Sequence, residues 1–155
     1  MAAERDSRGE AAVEIRVLAE GDEHVLRKAA AGVFDHEPRG GLATEFLADS
    51  RHHLVVAIAG ETVVGFASAL HYVHPDKEPQ LWINEIGVAP EWQRQGIGSL
   101  LLGRMLELAG ELDCSEIWVL TDATNEAAVA LYRSRGGRPE PQVMFSFPGD
   151  GKARQ

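Results

Sequence analysis

Aromatic residues make up only 6% of the 155 residues, there is a single cysteine, and 15 Lys+Arg stand against 24 Asp+Glu. Each shortage excludes something. One cysteine, Cys114, cannot form a disulfide within the chain, and without C-x-x-C or H-x-x-x-H spacing no metal site is expected. No apolar run approaches the roughly 18–20 residues of a membrane span, and the first residues (MAAERDSRGEAA) lack the charged-then-apolar order of a signal peptide, so a cytoplasmic protein without a membrane partner is expected. A formal net charge of −9 disfavours nucleic acid as a partner, because such binding relies on Lys and Arg to neutralise phosphates. It is compatible with a cationic ligand, and equally with an acidic surface that serves solubility alone.

With 45% hydrophobic residues, the chain suffices for one domain with a real core. Residues 1–12 and 148–155 read as flexible ends, and 13–147 as the domain. Val13, Ile15 and Val17 alternate as in a strand, and Asp22 is placed to cap a helix carrying Val25, Leu26, Ala29, Ala30 and Val33. Pro38, Gly40 and Gly41 mark a loop, with a short helix over 44–49. The runs 53–59 and 62–73 predict a hairpin about Gly60-Glu61, followed by a third strand over 81–88. Then come a helix over 98–112, a strand over 117–120, a helix over 125–135 and a last strand in which Val143, Phe145 and Phe147 alternate. This order implies an α/β (α+β) fold with a mixed, mostly antiparallel sheet and at least one parallel connection.

The densest chemical signal is Glu85-Ile86-Gly87-Val88-Ala89-Pro90-Glu91-Trp92-Gln93-Arg94-Gln95-Gly96-Ile97-Gly98. A strand runs into a glycine-containing turn that opens a long helix, aiming unpaired N–H groups and the positive helix end at one point. Gly96 and Gly98 let a phosphate approach the backbone, and Arg94 adds complementary charge. An ordinary strand-to-helix turn is the competing reading. Leu101 interrupts the dinucleotide pattern G-x-G-x-x-G, and no G-x-x-x-x-G-K-[ST] occurs.

A second segment, Asn125 through Tyr132 (NEAAVALY), follows one strand later. Together, Gln93-Arg94-Gln95-Gly96-Ile97-Gly98 and Asn125–Tyr132 resemble the Q/R-x-x-G-x-G/A turn and N-x-x-A-x-x-L-Y helix of the GNAT superfamily of N-acetyltransferases. The resemblance spans about 13–147 and departs at Gly137, where the family usually has a larger apolar residue. It implies a GNAT-like sheet whose parallel strands, 85–88 and 117–121, splay apart. It also implies acetyl-CoA as cofactor. Ile86, Gly87 and Val88 would lie along the pantetheine, with Gln93, Arg94, Gln95, Gly96, Ile97, Gly98 and Ser99 around the phosphates and Asn125, Ala128 and Tyr132 alongside.

The resemblance assigns catalytic roles to Glu85 and Tyr132. Glu85 would take the amine proton, directly or through water; a plain strand-edge carboxylate is the alternative. Val88 N–H would meet the developing oxyanion. Tyr132 would protonate the CoA sulfur, or else pack on the core and only hydrogen-bond CoA. Asn125 serves as a helix cap under either reading. His52, His53, His71 and His74 show no ligand spacing, Cys114 reads as a small buried residue, and Trp82 and Trp92, which flank the strand, as packing residues or, for a Trp beside the cleft, a substrate contact.

Within the superfamily, AAAGVF at 29–34, WINEIGV at 82–88, AVALY at 128–132 and PQVMFSF at 141–147 resemble the aminoglycoside 3-N-acetyltransferases of the gentamicin/fortimicin type. That implies acetylation of the 3-amino group of 2-deoxystreptamine, antibiotic resistance and a homodimer. Asp35, Glu37 and Asp122, with Glu85, are the expected substrate-binding carboxylates for such a polycation. The other readings are a GNAT enzyme for another small amine or a peptide α-amine, and a non-catalytic CoA-binding regulatory module.

Overall fold

A computed structural model describes residues 12–149. Most of the flexible ends expected at 1–12 and 148–155 therefore lie outside the described residues. Five strands, β1 (Glu14–Leu18), β2 (His52–Ala59), β3 (Thr62–Tyr72), β4 (Gln80–Val88) and β5 (Glu116–Val119), form one sheet in the order β1-β2-β3-β4-β5. The first four pair antiparallel; β4 and β5 pair parallel, as the helical crossover between them requires. The helices are α1 (Gly40–Ala48), α2 (Ile97–Glu111) and α3 (Glu126–Ser134). This is the mixed α/β arrangement expected from the sequence.

β2 and β3 lie at the centre, and Val55, Val56, Ala57, Val63, Val64 and Ala67 are fully buried. Burial on both faces explains why these runs are continuously apolar rather than alternating. One face packs on α2 through Ile97, Leu101, Leu102, Met105, Leu108 and Ala109. The opposite face packs on α1 and a short 3-10 turn over Glu23–Arg27, through Leu26, Val33, Leu47, Leu54, Val56 and Phe66.

Four expectations are corrected. The helix expected from Asp22 through Val33 is only the 3-10 turn, because β3 recruits the next backbone: Ala30 donates its N–H to Val63 O (2.8 Å) and Val63 donates to Lys28 O (2.7 Å). Asp22 makes no side-chain cap; its carboxylate instead accepts the Ala19 N–H (2.9 Å). Gly40 and Gly41, read as loop, form the first turn of α1, where exposed helix N–H groups need no side chain. The alternating segment 143–147 is not a strand of this sheet: it pairs with nothing among the described residues, and its apolar side chains face outward. Gly137 is explained by close packing, since a Cβ there would lie 2.8 Å from Tyr132 O, which accepts the Gly137 N–H.

The scattered histidines also behave unexpectedly. Pairing of β2 with β3 sets His53 against Ala69 and brings His53 Nε2 to 2.7 Å from His71 Nδ1, with the rings stacked. Burial of His53, then the neighbouring His71 and His52, push its pKa down to about 4. His53 is therefore neutral in the folded chain at pH 7, whereas the unfolded chain takes up a proton as pH falls below about 6.5. The unfolded state then binds more protons, so stability declines between about pH 6.5 and 4 and levels off below that. Urea titrations across this range should show a loss on the order of 2–3 kcal/mol from this group. In His53→Leu the dependence should be correspondingly flatter.

Candidate active site

β4 is the strand on which the site is built. Its register to β3 slips between Ser68 and Ala69: Ser68 faces Glu85 while Ala69 faces Ile83, leaving Asn84 as an inserted residue. Such a bulge changes which side chains share a face. Leu81 and Ile83 point into the α2 core, and beyond Asn84 the inward positions become Ile86 and Val88. Glu85 thus joins Leu54 and Ser68 on the α1 face. Pairing with β5 also ends at Ile83 and Val119, so the Glu85–Val88 half of β4 has a free edge, in keeping with the expected splay.

On that edge the backbone direction is fixed by one hydrogen bond. Ala89 donates its N–H to Val64 O on β3 (2.8 Å), so by strand alternation Val88 and Ile86 turn their backbone groups outward. Gln93 Nε2 donates to Val88 O (3.1 Å) and leaves the Val88 N–H free. The following turn places Arg94 and Gly96 at φ +62° and +80°, one residue apart. Alternating left-handed residues gather successive N–H groups into a concave anion site. Leu100 is the first residue of α2 to bond back, to Gly96 O (3.1 Å), and the backbone N–H groups of 94–99 donate to no protein acceptor among the described residues; of their side chains, Gln95 Nε2 donates to Glu91 O (3.4 Å). The turn that joins strand to helix thus has the donors, the helix end and the Arg94 charge needed to hold a phosphate.

α3 lies beside this turn. A Cβ on Gly98 would make only ordinary contact with Leu131 (3.4 Å), whereas one on Gly103 would crowd the Arg135 guanidinium (3.0 Å), so Gly103 leaves room for the side chain by which α3 meets α2. Arg135 fixes the contact through Nη2 to Ser99 O (2.8 Å) and Nε to Ser99 Oγ (3.0 Å). Asn125 Oδ1 accepts the Ala128 N–H (3.1 Å), the cap expected from the sequence. Tyr132 is half-buried against the α2 core; burial raises its pKa, so its hydroxyl keeps its proton at neutral pH.

On the α1 face, Glu85 opens into a cavity of about 260 Å³. Leu54, Phe66 and Ser68 form its floor, and Leu26, Phe34, Leu42, Ala43 and Phe46 line much of its wall. Phe34 stacks on Phe66 with ring centroids 4.4 Å apart. This approach depends on Gly87, where a Cβ would lie 2.8 Å from Phe66 Cε1 and 2.9 Å from Val33 O. The charged or titratable groups in the lining are Glu85, His36 and Arg39. Asp35, Glu37 and Asp122 are exposed and outside the lining; residues 34, 36 and 38 of the loop turn inward where 35 and 37 do not. His36, Arg39, Phe34 and Ser68 are cavity residues that the sequence reading missed, and the even spacing of 34, 36 and 38 was the available signal.

Trp82 and Trp118 stack across β4 and β5 (5.2 Å), and Trp118 Nε1 donates to Tyr72 Oη (3.2 Å). Cys114 is half-buried, and burial raises its pKa, so it is a thiol and not a nucleophile poised as thiolate. No cluster of three or more metal-ligating side chains occurs among the described residues, and no helix there is long and apolar enough to cross a membrane.

Residues 21–136 match the family model described as acetyltransferase (GNAT) family. An L-2,4-diaminobutyric acid acetyltransferase of Shouchella clausii is 33% identical over 103 residues, covering 62% of this chain and 57% of that protein. A mycothiol acetyltransferase of Paenarthrobacter aurescens is 31% identical over 149 residues, covering 86% and 45%. The chain therefore spans roughly half the length of these two relatives. Among solved structures, an aminoglycoside acetyltransferase from an uncultured soil metagenomic sample, in complex with sisomicin, superposes with a TM-score of 0.76 at 23% identity, covering 88% of this chain and 95% of that one.

The Asn125 cap provides a direct check on how α3 is held. Asn125→Ala should cost about 1 kcal/mol in chemical denaturation, and Asn125→Asp should restore most of it.

Proposed function

The chain belongs to the GNAT acetyltransferase family, and from that premise we propose that it transfers the acetyl group of acetyl-CoA to a primary amine of a small molecule held in the Glu85 cavity. The observation that carries this reading is the double use of one half-strand: the free edge of residues 85–88 leads to the anion-binding turn, and the Glu85 side chain leads to the cavity.

The residues present suit acetyl-CoA. The unpaired N–H groups of 94–99, with Gln93 and Arg94 flanking them, would hold the pyrophosphate. Ile86, Gly87 and Val88 would receive the amide-bearing arm as an added strand, with Asn125 and Ala128 of the α3 side beside it. When bound, acetyl-CoA supplies an activated acyl carbon and a thiolate leaving group.

Glu85, on the cavity wall, would accept the proton of the bound ammonium, directly or through water, so that nitrogen can attack. The Val88 N–H, left free by the Gln93 contact, would donate to the carbonyl oxygen as charge builds there. Tyr132, which keeps its hydroxyl proton, would deliver it to the departing sulfur. The C–N bond forms as the C–S bond breaks; the second proton that nitrogen sheds on becoming an amide would replace the one Tyr132 gives to sulfur, and the proton taken by Glu85 would pass to solvent.

For the acceptor, the 3-amine of an aminoglycoside remains the specific candidate, with resistance to such drugs as the consequence. A cavity of about 260 Å³ lies below the roughly 300–1,000 Å³ typical of drug-sized ligands, so it suits one ring, with the remaining rings outside near the exposed Asp35 and Glu37. Arg39 favours a second reading. A guanidinium in the lining suits an amine that also carries a carboxylate, such as a small diamino acid. Either acceptor would be handled by a homodimer, a reading supported by the exposed apolar segment after α3.

A thiol-release assay with acetyl-CoA and a panel of aminoglycosides, diamino acids, polyamines and peptides tests the proposal. At least one amine should release CoA thiol, and Glu85→Gln should lower kcat by about 10²–10⁴ with acetyl-CoA affinity nearly unchanged. Acetyl-CoA binding without release for any amine would instead indicate a regulatory CoA-binding module. If an aminoglycoside is accepted, NMR of the product should place the acetyl group on the 3-amine; a 6′- or 2′-product would reject that regiochemistry. Arg94→Ala and Gly96→Val should each weaken acetyl-CoA binding, the first by removing charge and the second by straining a φ of +80°.

A further inference from the structure

Trp82, Trp118 and Tyr72 pack against neither the α2 core nor the α1 core, although Trp92 packs against both. All three side chains are partly exposed. Large aromatics held at a surface and left out of the core are the kind of patch that a ligand covers.

Their position follows from register. Leu81 and Ile83 face α2, so Trp82 faces the other way, with Trp118 as its partner on β5. Trp82 pairs with Leu70 and Glu85 pairs with Ser68, and Leu70 and Ser68 are two residues apart on β3. The bulge at Asn84 therefore makes Trp82 and Glu85 next neighbours on one face, about 7 Å apart along the strand. Neither tryptophan lines the Glu85 cavity, so they border the site on its open side.

The two indoles are held in place within the chain. Trp118 Nε1 donates to Tyr72 Oη (3.2 Å), Tyr72 Oη donates to Gln80 Oε1 (3.4 Å), and Gln80 Nε2 donates to Glu116 Oε2 (3.1 Å). Trp82 stacks on Trp118 at 5.2 Å, which uses one face of each ring. Between Ser68 and the far ends of β4 and β5, the charged residues on this face of the sheet are Glu85 and Glu116, both carboxylates. Aromatic rings between two carboxylates, in a chain of net charge −9, suit a cation rather than an anion.

We infer that the Trp82–Trp118 pair receives a second ammonium group of the acceptor, so that the preferred substrates are amines with another positive charge about 7 Å from the nitrogen to be acetylated. A rigid ring pair binds such a group without first having to be ordered, which favours affinity. The inference rests on acetyl transfer at Glu85 and adds a requirement on the acceptor that the cavity and Arg39 do not impose.

Binding can be read without catalysis, because the three tryptophans give three indole N–H signals in a nitrogen–proton correlation NMR spectrum. The probe is 1,5-diaminopentane, whose extended chain sets its two nitrogens at about the required spacing, added to the full chain in the presence of CoA. It should move the Trp82 and Trp118 signals and leave Trp92 in place, whereas 1-aminopentane at the same concentrations should leave all three unmoved. Trp82→Phe keeps a π face and Trp82→Leu keeps apolar bulk without one. The Leu variant should bind the diamine roughly 2- to 30-fold more weakly than the Phe variant, read from the Trp118 signal. In thiol release the same factor should appear in KM for the diamine, with kcat little changed and KM for 1-aminopentane equal in the two variants. Signals that move equally with both amines, movement of Trp92 alone or of no indole, or equal diamine affinity in the Phe and Leu variants would overturn the inference; the parent titration decides even where a variant does not fold. Movement of Trp82 and Trp118 without thiol release from any amine would leave the cation site standing and reject acetyl transfer instead.

Discussion

One inserted residue in β4 sets the geometry on which the site depends. With Asn84 bulged, Leu81 and Ile83 face α2 before it and Ile86 and Val88 face α2 after it, so both halves of the strand contribute to the same core. Without the insertion, strict alternation would carry Glu85 to the α2 side with Leu81 and Ile83. A carboxylate there would face the buried Leu101 and Met105 at a desolvation cost of several kcal/mol, and the cavity would have no carboxylate. The same position is where β5 stops pairing. A local break in alternation therefore coincides with the two features on which the proposed chemistry draws, a carboxylate in the cavity and an uncovered backbone edge.

The elements around β4 are arranged so that neither feature is closed off. Gly87 leaves room for Phe66 and the Val33 carbonyl, which brings the loop and α1 over the sheet as a cavity wall. Gly103 leaves room on the other side for the Arg135 guanidinium, which clamps α3 on Ser99. Small residues at close contacts thus fix the spacing on each side of one strand. Such contacts are sensitive to added atoms, because a Cβ at 2.8–3.0 Å forces a neighbour to move.

Much of this was legible in the sequence because it rests on local periodicity. The five strands, α2 and α3 follow from apolar spacing, and the strand-turn-helix 85–98 from its glycines and Arg94. The bulge left a mark too, since the apolar positions shift from 81 and 83 to 86 and 88, but that shift reads equally as a strand end. What was not legible required partners distant in sequence. The supposed helix at 22–33 loses most of its length to hydrogen bonds with Val63, and His53 meets His71 only through hairpin register. The alternation at 143–147 was real, yet alternation specifies a face and not a neighbour.

The overall acidity of the chain illustrates the same limit for electrostatics. A net charge of −9 suggests cationic ligands, yet the site combines opposite local fields. The turn at 94–99 concentrates N–H dipoles and a guanidinium, and these act at contact distance, where they outweigh surface carboxylates screened over a Debye length of about 8–10 Å. The cavity holds one carboxylate and, in Arg39, one guanidinium within a largely apolar wall, so it presents near-balanced charge to an acceptor. Asp35 and Glu37, on the same loop as His36 and Arg39, face away from it. Selectivity inside such a cavity would come from shape and from a paired amine and acid, while the outer carboxylates act mainly on the approach of a cation, through rate more than through affinity.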